Sequence, residues 1–117
     1  MKTVLIVDDS AFMRMSLKTI LEKNSYQVIG EAENGKQGVF RYKELKPDIV
    51  TLDVTMPEVD GLEALKEIKK IDPAAKVMMV TAMGQEAMVK DAILSGAQGF
   101  VVKPIVESVL LKAVNKL

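Results

Sequence analysis

The chain has 117 residues with 16 acidic and 16 basic side chains, so no net field draws it toward nucleic acid or a membrane surface. It contains neither cysteine nor histidine, which excludes disulfides, thiolate catalysis, cysteine-based zinc sites and imidazole bases. Chemistry must then rest on carboxylates, lysines, arginines, hydroxyls and backbone groups, a donor set that suits hard cations such as Mg2+.

The length predicts one domain, residues 1–117, with enough buried surface for a real core. Met1-Lys2-Thr3 leads into a four-residue apolar run, too short for a signal peptide. No apolar stretch approaches the roughly 18 residues of a membrane helix, so the expectation is a cytoplasmic protein with no membrane contact.

In chain order, Val4-Leu5-Ile6-Val7 is a continuous apolar strand, as expected where both faces of a sheet are covered. From Ser10 the period changes. Met13, Leu17, Ile20 and Leu21 fall on one face of a helix, with Asp9 or Ser10 as candidate cap. Tyr26 to Glu31 forms a less apolar strand, nearer a sheet edge. Asn34-Gly35 signals a turn, and a helix follows with Val39, Tyr42 and Leu45 inward.

Pro47 closes that helix, and Ile49-Val50-Thr51-Leu52 is the third strand. Gly61 opens a helix with Leu62, Leu65 and Ile68 inward, ended by Asp72-Pro73. Val77-Met78-Met79-Val80 is the fourth strand. Gln85 to Ser95 is the fourth helix, with Gly96 just past its end. Phe100-Val101-Val102 is the fifth strand, and Val109, Leu110, Ala113, Val114 and Leu117 make the inner stripe of a last helix. Strict alternation predicts an α/β fold, (βα)5, with a doubly wound five-stranded parallel sheet and right-handed crossovers. Five strands are too few for an eight-stranded barrel.

Sites in open α/β sheets lie beyond the carboxyl ends of the strands. Those ends carry Asp8-Asp9-Ser10, Asp53, Thr81-Ala82 and Lys103-Pro104. If the winding reverses after the second strand, Asp8, Asp9 and Asp53 crowd together, and carboxylates so close need a cation or a raised pKa. Mg2+ held by Asp8 and Asp9, with the Lys103 ammonium opposite, answers that need. Mg2+ also keeps ligand positions for water and phosphate oxygens. Asp53 is then the nucleophile for a phosphoryl group, with the Thr81 hydroxyl and Ala82 backbone N–H as donors to its oxygens.

Taken singly, each feature has a plain structural explanation: a solvated loop or helix cap, a strand threonine, a turn lysine, a core phenylalanine. Their chain order together carries the functional reading. Met78 and Met79 are expected in the core, and Met83 and Met88 on an adaptable binding face.

Asp8-Asp9, Asp53, Thr81-Ala82, Phe100 and Lys103-Pro104 resemble the receiver domain of bacterial response regulators across the full chain. Val7 to Met15 and Ala82 to Val89 resemble in particular the stand-alone chemotaxis regulators. The resemblance implies a flavodoxin-like strand order 2-1-3-4-5 and transfer of phosphate to Asp53 from the phosphohistidine of a sensor histidine kinase. It implies Mg2+ bound directly by Asp9, Asp53 and the backbone carbonyl of Thr55, with Asp8 acting largely through water. Thr81 and Phe100 would be switch residues, and Lys103-Pro104 would carry a cis peptide.

The implied partners are a chemotaxis-type kinase, the flagellar motor switch protein and an aspartyl-phosphate phosphatase, met by a monomer that does not itself contact nucleic acid. It would be a switch that promotes its own phosphorylation and dephosphorylation, not a turnover enzyme. Ile105 stands where relatives often have Phe, and Thr55 and Met83 lack the amide or carboxylate that could orient a hydrolytic water.

Three other readings compete. A haloacid dehalogenase-type phosphatase places its nucleophile after the first strand in an Asp-x-Asp arrangement, which Asp8-Asp9-Ser10 does not match. A non-phosphorylated interaction module need not keep two acids, an acceptor, a hydroxyl and a lysine together. The receiver half of a DNA-binding regulator, cut from its effector, is the third, and the chemotaxis-like segments favour a stand-alone protein over it.

Overall fold

In the computed structural model, residues 1–54, 56 and 59–117 are described. Thr55, whose carbonyl was expected to bind metal, lies outside them. The elements are β1 (Thr3–Val7), α1 (Ala11–Lys23), β2 (Gln27–Ala32), α2 (Gly35–Leu45), β3 (Ile49–Asp53), α3 (Gly61–Ile71), β4 (Lys76–Thr81), α4 (Glu86–Leu94), β5 (Gly99–Val102) and α5 (Glu107–Val114).

All pairings are parallel, and the sheet order is β2-β1-β3-β4-β5. The chain therefore reverses winding after β2. Because successive strand residues face opposite sides, the sheet divides the core in two. Leu5, Val50, Leu52, Val77 and Met79 pack with Tyr42 of α2, Leu65 and Ile68 of α3, and Ala92 of α4. On the other side, Val4, Ile6, Met78, Val80 and Val101 pack with Leu17 and Leu21 of α1 and Leu110 and Val114 of α5.

Local chemistry fixes where the helices begin. Ser10 accepts from the Met13 N–H, Asn34 from Gln37 and Asp60 from Glu63, each a side-chain N-cap. Asn34 thus serves as the cap of α2, and Gly35 is already helical, where the sequence suggested only a turn. Gly61 must be glycine, because a Cβ there would sit 2.0 Å from the Asp53 carbonyl oxygen. Its N–H donates to the Val54 carbonyl at 2.9 Å, drawing the start of α3 against the end of β3.

Two expectations fail locally. Val109 is 54% exposed and outside the α5 stripe, which runs through Leu110, Ala113 and Val114, with Leu117 beyond the helix packing on the same cluster. One residue turns a helix by about 100°, enough to carry Val109 off the buried face. Met83 is 80% exposed as expected, but Met88 packs against the core rather than joining it on an open face.

Candidate functional site

β1, β3 and β4 are largely buried, β5 buries only Val101, and the residue that ends or follows each strand emerges at the carboxyl edge. Asp8 follows β1 and is buried, with its N–H donating to the Ala32 carbonyl at 3.0 Å. Asp53 is the last residue of β3 and is only 5% exposed. Thr81 ends β4 and is buried, whereas Asp9 and Ala82 are exposed. The Lys103 N–H donates to the Thr81 carbonyl at 2.7 Å, which holds the lysine beside the threonine. The Lys103-Pro104 peptide is cis.

Asp8, Asp9 and Asp53 each offer a carboxylate oxygen within 4.8 Å of the others. The Lys103 Nζ stands 3.3 Å from Asp8 Oδ2 and 3.5 Å from Asp53 Oδ1. Asp8 Oδ1 accepts the Ser10 N–H at 2.8 Å. Asp8 Oδ2 is buried without a formed hydrogen bond, and the Lys103 ammonium at 3.3 Å is the charge that offsets its burial. Burial pushes the Asp53 carboxyl up to about 6; the Asp8 charge adds to the rise, Lys103 opposes it, and Asp9 adds a smaller push. An all-oxygen donor set of three carboxylates, of which Lys103 faces only Asp8 Oδ2 and Asp53 Oδ1, fits a small hard cation.

Two contributors were not legible in the sequence. Arg14, one turn into α1, donates from Nη1 to the Asp8 carbonyl at 2.7 Å and from Nε to Glu31 Oε1 at 3.1 Å, tying the β1 loop to β2. Gln85 turns its side chain back onto the end of β4, where Oε1 accepts the Thr81 hydroxyl at 2.9 Å and the Ala82 N–H at 2.8 Å. Both lie in the segments that resemble chemotaxis regulators, Val7 to Met15 and Ala82 to Val89, but their roles depend on which way a long side chain points. Phe100 is 47% exposed and borders a groove of about 500 Å3 between α4 and β5, lined also by Thr81, Val89 and Val102.

The model of the response regulator receiver domain matches residues 4–115. The chain belongs to this family. Among receiver proteins it is similar to the chemotaxis protein CheY of Thermotoga maritima, 60% identical over 116 residues that cover 99% of this chain and 97% of that protein. The CheY of Bacillus subtilis is 58% identical over 113 residues, covering 97% of this chain and 94% of the relative. A solved CheX–CheY–BeF3–Mg2+ complex from Borrelia burgdorferi superposes with a TM-score of 0.94 at 40% identity, covering 98% of this chain and 87% of that one. The receiver is thus a CheY-like phosphoacceptor switch of two-component chemotaxis signalling. Its sheet has the flavodoxin-like order that the resemblance implied. No helix among the described residues is long and apolar enough to cross a membrane.

Proposed function

We propose that Asp53 is the phosphoacceptor, in a Mg2+-dependent reaction with the phosphohistidine of a sensor histidine kinase. The observation that carries this reading is the placement of a buried acceptor carboxylate 3.5 Å from the Lys103 ammonium and within 4.8 Å of two further carboxylates. An Asp53 carboxylate oxygen forms the new bond to phosphorus as the phosphorus–imidazole bond breaks, and the donor imidazole takes up a proton.

Asp8, Asp9 and Asp53 would hold Mg2+, as would the Thr55 carbonyl. When bound, the ion supplies charge neutralisation for the carboxylates and the incoming phosphoryl oxygens. Lys103 holds a second positive charge at the acceptor. Thr81 Oγ1 and the Ala82 N–H donate to the phosphoryl oxygens once the group is in place.

Phosphorylation adds about −1.5 to −2 charge and three acceptor oxygens at this edge. Reversing a 1:99 population needs roughly 5.5 kcal/mol of preference for the active form. A few charge-assisted hydrogen bonds at roughly 1.5–3 kcal/mol each reach that total. In the active form Thr81 moves toward the phosphoryl group and Phe100 turns inward toward the groove it borders. The face made by α4, β5 and α5 then presents a different surface to the output partner.

By analogy with the CheY relatives, that partner is the flagellar motor switch protein, in a cytoplasmic chemotaxis system with a dedicated kinase and a separate aspartyl-phosphate phosphatase. The chain acts as a monomer that promotes its own phosphorylation and dephosphorylation and does not itself touch nucleic acid. The test is incubation with acetyl phosphate and Mg2+ followed by mass spectrometry. One phosphoryl mass is expected on the wild type and none on Asp53→Ala. Equal labelling of both overturns the assignment.

A further inference from the structure

We infer that Gln85 is an internal competitor for the phosphoryl group: its side-chain carbonyl occupies the phosphoryl donors in the resting protein and must leave before they can be used. The inference rests on the acceptor role proposed for Asp53 and adds to it a residue that sets the switch. Gln85 stands at the N-cap position of α4, yet its side chain makes no capping bond to that helix. It reaches back four residues instead. Oε1 accepts both the Thr81 hydroxyl and the Ala82 backbone N–H, at 2.9 and 2.8 Å.

Each of these donors has a single proton, so neither can serve Gln85 and a phosphoryl oxygen at full strength together. The amide carbonyl is a neutral acceptor, whereas phosphoryl oxygens are charged and accept roughly twice as strongly. Exchange therefore favours the phosphorylated state, while in the resting protein Gln85 gives the buried Thr81 hydroxyl a shorter partner, at 2.9 Å, than the Ala82 carbonyl at 3.2 Å. Gln85 immediately precedes Glu86, the first residue of α4. Exchange of these two bonds therefore acts directly on the residue that begins the helix bordering the Phe100 groove. Binding of the phosphoryl group and the change at the start of α4 become one event, coupled through a single side chain.

The test uses two variants of the full chain and beryllofluoride with Mg2+ as probe, followed by NMR. Gln85→Met keeps the side-chain length but removes the carbonyl acceptor. Gln85→Glu strengthens the acceptor with a charge. Beryllofluoride should bind Gln85→Met about tenfold more tightly than wild type, and Gln85→Glu more weakly. In the metal-free protein, the Ala82 amide should exchange with solvent several-fold faster in Gln85→Met than in wild type.

A merely structural role at the start of α4 would weaken binding in both variants, and that result overturns the inference. So does equal affinity of Gln85→Met and wild type, while leaving the Asp53 reading intact. Failure of the wild type to bind beryllofluoride at all would instead remove the Asp53 reading, and the inference with it.

Discussion

Lys103 Nζ lies 3.5 Å from Asp53 Oδ1, so the cation closest to the candidate acceptor comes from the loop after β5, two strands away in the sheet. Lys103→Ala removes the attraction that opposes the rise in the Asp53 pKa. The Asp53 carboxyl should then titrate above about 6, read by carboxyl-carbon NMR in metal-free protein. The same variant should still take up phosphate but bind the output partner more weakly. Unchanged partner affinity would remove Lys103 from the switch.

The raised Asp53 pKa has a sign for stability. The carboxyl moves from 3.8 to about 6 on folding, so its contribution is fully present below pH 3.8 and is lost as pH rises through about 6. The loss amounts to about 3 kcal/mol. In EDTA, urea unfolding of wild type and Asp53→Asn should diverge by that order between pH 4 and 7, with the variant the more stable at neutral pH. Mg2+ should narrow the gap. A gap that does not change with pH would rule out a buried, titrating Asp53.

Gly61→Ala should damage the acceptor loop more than its size suggests. The added methyl would meet backbone, with the Asp53 carbonyl oxygen 2.0 Å and the Val54 Cα 2.8 Å away, so no side chain can yield to relieve it. Overpacking of this kind costs about 1–3 kcal/mol. Urea midpoints should fall accordingly, and acetyl phosphate labelling of Asp53 should slow even in the folded fraction.

At the opposite edge of the sheet, the buried Tyr42 hydroxyl donates to Asp72 Oδ2 at 2.9 Å. Burial first, then the Asp72 hydrogen bond and charge, push the phenol up to about 12. An absorbance titration should show it ionising about two units above an ordinary tyrosine, and stability present below pH 10 should be lost as pH rises through about 12. Tyr42→Phe should cost about 1 kcal/mol without altering phosphorylation.

Self-hydrolysis of the acyl phosphate should be slow. Thr55 carries no amide or carboxylate with which to orient water, and Met83 is 80% exposed and apolar. A half-life of only a few seconds in Mg2+ alone would contradict this.

Asp8, Asp53, Thr81 and Lys103 could be found from the sequence because each directly follows or ends an apolar strand, and strand ends in an alternating α/β chain share one edge. The strand order itself came from the family likeness, since parallel strands of similar composition carry no pairing signal. Arg14 and Gln85 escaped because long side chains choose their partners after the backbone is set. Val109 escaped because one residue of rotation separates the inner and outer faces of a helix.

Attachment to the rest of the molecule is uneven among the helices. α3 fully buries Gly61, Ala64, Leu65 and Ile68, while Ala92 is the one fully buried residue of α4. An alanine contributes little apolar area, and Met88 packs on the core only partly buried, so dislodging α4 forfeits less cohesion than dislodging a neighbour with leucines in the interior. Compliance is thus concentrated in one panel beside an otherwise stiff frame, and a modest chemical push need not loosen the whole.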